Sequence, residues 1–374
     1  MADVKTSLAQ FEEISSNPQR LLQNYLDADE KVIACFPIYT PQPLVLAAGM
    51  VPMGIWGGQC NAHMAGKYAP IFTCSLLRSC LEFGMTGAYK GVSAAIMPII
   101  CDTFRGMNSA WRAGVKDIRP ITFIYPQNRK DPGARDFLIE ELKTVRSALE
   151  EISENQITNE ALQEAIELCN QRNAAMRTFC ETANEHLDLV KPVDRHHVMK
   201  AATFLRPEET IERVSALTEA LRAEPVCRWT GKKVILTGIT CEPDEILGYF
   251  ADNKVAVVGD DLAQESRQYR SDYPAAASGM ERLALHWFAV HGCSVAHDDN
   301  NTVRGRMLAQ LAKEQAADCV VLCMMRFCEI EEYDQPSVIK EVTRAGLMSF
   351  SIDIDQSTTE SGQALTKIQT FAEN

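Results

Sequence analysis

Apolar residues along the chain fall into two alternating stretches separated by a helical one. From Lys31 to about residue 128, the runs KVIACFPI, AGMVPMGIW, SAAIMPII and ITFIYP have the length and flanking signals of buried strands. TPQPLVLAAG and TCSLLRSCLEFGMTGAY, between them, predict helices. From about Pro132 to Ala223 the period turns helical. DFLIEELKTVRSALEEI spaces its apolar residues for one helix face, Thr158 is placed to cap the segment that follows, and RPEETIERVSALTEALRAE admits proline in a first turn.

From Gly231 the alternation resumes with KKVILTGI, KVAVVGDD, DCVVLCMM and MSFSIDID, interleaved with helix-like ERLALHWFAVHG, RGRMLAQLAKEQ and SVIKEVTRAG. SGQALTKIQTFAEN closes the chain as a helix. Strands alternating with helices mean βαβ units and parallel sheets. The expected fold is α/β, with two Rossmann-like lobes and a helical insert. The expected divisions are residues 1–130, 131–230 and 231–374. A length of 374 residues suits several domains better than one core.

Composition narrows the function. A net charge of −13 disfavours nucleic acid and anionic membrane as partners. No apolar run approaches the roughly 20 residues a membrane helix needs. The start, MADVKTSLAQFEEISSNPQR, lacks a signal-peptide pattern, so a cytoplasmic protein is expected. Thirteen cysteines in that compartment are then thiols, metal ligands or core residues, not disulfides.

Ligands of open parallel sheets bind beyond the carboxyl ends of the strands. Cys101-Asp102 follows SAAIMPII, and Cys328-Glu329 follows DCVVLCMMRF. Cys74 opens the helix SLLRSCLEF, where the positive helix end favours a thiolate. Three thiolates meeting in an interlobe crevice suit an iron–sulfur cluster. Spacing alone leaves that reading and ordinary buried cysteine both open. Cys35, Cys319 and Cys323 lie in apolar runs, Cys169 and Cys180 on amphipathic helices, and Cys80 two turns beyond Cys74.

The segments GIWGGQ, FTCSLLRSCLEFG, IMPIICDTFR, FIYPQNRK, VVGDDLAQESRQYRSDYPA, VLCMMRFCEIEEYD and DIDQSTTESGQALTKIQTF resemble, in that order, the 2-hydroxyacyl-CoA dehydratases. The resemblance covers nearly the whole chain from Lys31, and the GIWGGQ variant and length resemble the smaller, β-type subunit. It implies that Cys74, Cys101 and Cys328 hold one 4Fe–4S cluster, with no cysteine on the fourth iron; no fourth motif cysteine is present. It implies a larger homologous subunit that carries most of the acyl-CoA site, and a separate ATP-dependent iron–sulfur activator. The implied reaction is syn-dehydration of an (R)-2-hydroxyacyl-CoA to an (E)-2-enoyl-CoA through a ketyl radical. This chain's cluster would then relay the electron. Gln59, where the larger subunits have an acid nearby, points the same way. The chain has no G-x-x-x-x-G-K-[ST] loop of its own, which agrees with a separate activator.

A reductase-type or double-cubane cluster protein of the same fold is the alternative, with Cys35, Cys60 and Cys80 as its candidate extra ligands. A cluster-free ligand-binding module or a structural zinc site stands further off. His196-His197 reads as a solvent-facing pair. His286, His291 and His297 have no ligand spacing. Gly259-Asp260-Asp261 reads as a helix cap or crevice wall. Arg267, Arg270 and Tyr273 read as a phosphate contact, a partner contact or a solvated loop. Neither the acyl group nor a catalytic acid or base can be read from this chain.

Overall fold

The computed structural model describes residues 3–296, 302–357 and 361–373. Helices α1 (Val4–Ser16) and α2 (Pro18–Asp27) precede the first lobe. That lobe runs β1 (Val32–Cys35), α3 (Gln42–Ala47), β2 (Val51–Gly54), α4 (Ser75–Met85), β3 (Ala94–Ile99), α5 (Asp102–Gly114) and β4 (Arg119–Ile124). Four helices follow: α6 (Ala134–Ser153), α7 (Asn159–Ala183), α8 (Pro192–Ala201) and α9 (Pro207–Arg222). The second lobe contains β5 (Lys232–Gly238), α10 (Asp244–Asp252), β6 (Val255–Leu262), α11 (Ser266–Tyr269), α12 (Gly279–Ala289) and α13 (Val303–Glu314). It ends with β7 (Cys319–Met325), α14 (Glu329–Arg344), β8 (Met348–Ile354) and α15 (Gly362–Glu373).

Both sheets are parallel and share one strand order, β2-β1-β3-β4 and β6-β5-β7-β8. The expected pair of Rossmann-like lobes is therefore present. Helices cover both faces, so inner strands such as β1 and β7 are buried throughout and read as unbroken apolar runs. Thr158 caps α7 as expected, its hydroxyl accepting from the Ala161 N–H at 3.1 Å. The N-terminal helix α1 packs away from the sheets: Val4, Leu8 and Phe11 share a core with Phe179, Val198 and Leu217 of the helical segment.

That packing corrects one expectation. His196 and His197 do point to different faces of α8, but both faces are covered. His197 Nδ1 lies 2.6 Å from the Ser15 hydroxyl of α1. His196 sits between two carboxylates, Nδ1 at 2.7 Å from Glu265 and Nε2 at 3.3 Å from Glu242. Burial opposes charging His196, yet the two carboxylates outweigh it and raise its pKa to about 9.

Candidate functional site

The site begins with how three strands or turns hand over to helices. Cys74, Cys101 and Cys328 are the N-cap residues of α4, α5 and α14. Cys101 follows β3 and Cys328 follows β7, equivalent places in the two lobes. Both places lie at a carboxyl edge beside the switch in strand order, where α/β sheets bind ligands. Just before Cys328, Phe327 takes a left-handed backbone, φ +65°, uncommon for an aromatic residue. The turn redirects the chain from β7 into α14.

All three cysteines wall one cavity of about 300 Å³ between the lobes. A smaller apolar recess of about 60 Å³ touches the same three sulfur-bearing residues from behind, with Leu77, Phe104 and Met325 on its wall. Burial pushes the Cys74 thiol up to about 12 and raises Cys101; it raises Cys328 well above the usual thiol range, with the nearby Glu331 charge adding to it. Backbone N–H groups oppose this at each helix start: Leu77 for Cys74, Phe104 and Thr103 for Cys101, Glu331 for Cys328. None closes a side-chain cap hydrogen bond, so they act at longer range, as helix N-termini do on anions. As free thiols these groups stay protonated near neutral pH. A bound cation inverts that preference, because a coordinating thiol is deprotonated outright.

The donor set is soft, sulfur without imidazole, on this wall. Among the described residues, no group of three or more His, Cys, Asp or Glu side chains is placed to hold a single metal ion. The three cysteines are spread around the cavity instead.

Beside the cavity lies a buried ionic network that corrects further expectations. Asp261 is part of β6 itself and meets Arg267 at 2.9 Å, Arg304 at 2.9 Å and Arg270. Burial would raise its pKa, but the three guanidinium groups hold it well below the usual carboxylate range. Arg304 also pairs with Glu331 at 2.9 Å and Asp334 at 3.0 Å. Arg267 and Arg270 are thus bound internally, neither in a solvated loop nor free for a phosphate. The Tyr273 ring stacks on His286 at 4.2 Å. His291 is exposed, and His297 lies outside the described residues.

Gln59 is not on the cavity wall, and neither are Cys35, Cys60 and Cys80. The Cys80 sulfur instead faces the Ile55 carbonyl at 3.8 Å. Cys293 was missed from sequence: it is buried and walls the cavity with the three motif cysteines. It stands in no motif, in the loop HGCSV after α12, so only proximity in space reveals it.

Fold and site together define a class, two-lobed parallel α/β proteins with cysteines gathered at the interlobe crevice. The chain belongs to the family described as 2-hydroxyglutaryl-CoA dehydratase, D-component, whose model matches residues 37–374. It is 37% identical to the lactoyl-CoA dehydratase subunit beta of Anaerotignum propionicum, covering 100% of both chains. It is 36% identical to the (R)-phenyllactyl-CoA dehydratase beta subunit of Clostridium sporogenes, covering 97% of each. It is 34% identical to the (R)-2-hydroxyglutaryl-CoA dehydratase subunit beta of Acidaminococcus fermentans, covering 99% of each. No helix among the described residues is long and apolar enough to cross a membrane.

Proposed function

We propose that this chain is the β-type subunit of a 2-hydroxyacyl-CoA dehydratase. In this reading it works with a larger homologous subunit, and Cys74, Cys101 and Cys328 hold a 4Fe–4S cluster. The observation that carries the proposal is the meeting of three helix-capping cysteines, from both lobes, on one cavity. Three thiolates are the donors such clusters use, and the full-length similarity to three dehydratase beta subunits supplies the reaction class.

A bound cluster would supply one-electron chemistry, taken from an ATP-dependent activator and passed to the partner's substrate. The chain's own residues do the rest. The helix ends of α4, α5 and α14 orient the sulfurs and favour their charged form. The recess lined by Leu77, Phe104 and Met325 keeps water from the buried side. The Asp261 and Glu331 network fixes the first turn of α14, and with it Cys328. Apolar surface beside the site suits a covering subunit: Ile71 and Phe72, just before Cys74, and Tyr333 on the cavity rim are all exposed.

The test replaces Cys101 with serine in the intact complex. Turnover with activator, ATP and reductant should fall severely, while acyl-CoA affinity stays nearly unchanged. A large loss of affinity would place the substrate in this chain and overturn the relay reading. Expressed alone, the chain should show no dehydratase activity, and full activity from it would remove the need for a partner.

A further inference from the structure

Each lobe ends its sheet with a strand whose exit crosses to the other lobe. The equivalent strands are β4 and β8, the last in the two strand orders. Five residues past β4, the Arg129 guanidinium donates to four second-lobe carbonyls: Trp287 at 3.2 Å, Phe288 at 3.5 Å, Ala296 at 3.1 Å, and Val290. Two residues past β8, Gln356 is 1% exposed and enters the first lobe. Its Nε2 donates to the Trp56 carbonyl at 3.2 Å, and its Oε1 accepts from the Ser79 hydroxyl at 2.7 Å. Its backbone N–H donates to the Ser75 hydroxyl at 3.2 Å, and its carbonyl accepts from the Cys60 N–H at 3.1 Å.

The targets are equivalent too. Arg129 grips the crossover from β6 to β7, and Gln356 grips the crossover from β2 to β3. Each gripped segment reaches the cavity wall: the loop held by Arg129 contains Gly292, Cys293 and Ser294, and Ser75 directly follows Cys74. We infer that Arg129 and Gln356 are positioning residues, a pair of reciprocal clasps by which each lobe holds the other's wall of the crevice at a fixed width. The functional side, that the clasps keep Cys74 and Cys101 at a constant distance from Cys328, rests on the cluster proposed above.

The chemistry of each clasp suits a fixed joint. The last turn of α12 presents carbonyls and the negative end of the helix, both suited to a guanidinium. The Trp287 ring lies 5.9 Å from the same guanidinium, and its Nε1 donates back to the first lobe, to the Pro126 carbonyl at 3.0 Å. Gln356 Nε2 also donates to Glu242 at 2.9 Å, and Glu242 is itself held by His196 and Lys200 of α8. Widening the crevice would strand buried carbonyls and a buried amide without partners, each bearing its full desolvation penalty. Metal–ligand bonds tolerate only roughly 0.2 Å of misplacement, so a cluster shared by two lobes needs such a constraint.

The experiment uses the full chain, purified anaerobically, and reads hydrogen exchange by mass spectrometry together with iron release to an anaerobic chelator. Arg129→Met should speed exchange across residues 287–296, in the opposite lobe, by roughly tenfold. Gln356→Met should do the same across residues 56–60 and 75–79. Arg129→Lys, which still offers a cation to the α12 carbonyls, should recover part of the protection, which a merely space-filling side chain would not require. Both Met variants should release iron faster, again by roughly tenfold. Should a Met variant fail to fold, Arg129→Lys and Gln356→Asn are the milder pair, expected to loosen the same segments by less. Unchanged exchange in the opposite lobe overturns the clasps. Faster exchange with unchanged iron release overturns their role in holding the cluster. Wild-type protein without iron overturns the cluster proposal, and the exchange measurement still decides the clasps.

Discussion

Replacing His196 with glutamine should remove a pH-dependent part of the stability. In the fold the imidazole is 1% exposed and pinned between Glu265 and Glu242, with Lys200 also on Glu242. Its pKa rises from an ordinary 6.5 to about 9. One pKa unit corresponds to about 1.4 kcal/mol, so the raised value is worth ~3 kcal/mol when the group is fully protonated. A raised pKa stabilises below the unfolded value and is lost as pH climbs through the folded one. The wild-type advantage over His196→Gln should therefore be ~3 kcal/mol near pH 6.5 and under ~1 kcal/mol near pH 9.5. Buried thiols also oppose folding at high pH, because the unfolded chain ionises them, but they do so equally in both proteins and cancel in the difference. Urea unfolding of the two proteins at both pH values, followed by far-UV circular dichroism, measures it. An advantage of equal size at both pH values would show that His196 is neutral in the fold and refute the reasoning.

Cys74→Ser and Cys328→Ser should each lose the brown absorbance near about 400 nm expected of a cluster. Cys323→Ser, buried in β7 off the main cavity, should keep it in anaerobic spectra. Asp261→Ala leaves three arginines facing an empty carboxylate site and should cost about 3–5 kcal/mol, read as a lowered urea midpoint. Gly57→Ala should cost about 1–3 kcal/mol by the same measurement. Gly57 has φ +64°, and an added Cβ would fall 1.9 Å from the Ser79 hydroxyl of α4.

Much of the protein was legible in one dimension. Strands buried on both faces must be apolar throughout, so VIAC and CVVLCMM announce themselves and their parallel pairing. A cysteine at the end of such a strand is placed by strand length alone, which is why Cys101 and Cys328 could be singled out. Cys74 was legible because a helix start is a local signal. The solvent-facing reading of His196 and His197 failed because their covering groups are remote in sequence: α1, about 180 residues away, for His197, and Glu242 and Glu265 of the second lobe for His196. Arg267 and Arg270 looked free for the same reason. Their partner Asp261 sits at the polar end of a strand, which reads as a helix cap or crevice wall and not as the centre of an ion network, and Arg304, which completes the network, comes from another helix.

The sequence by itself determined the alternation of strands and helices, the two lobes and the three motif cysteines, because each depends on short-range periodicity or on the chain's direction at a strand end. Only the tertiary structure decided which charges are buried and which cysteines share a wall. Cys293 reaches the cavity through lobe packing and through its neighbour Ser294 bonding to Glu331 on α14, 37 positions away. No local pattern records a contact of that kind, since burial and charge pairing are properties of surfaces that meet only after the chain has folded.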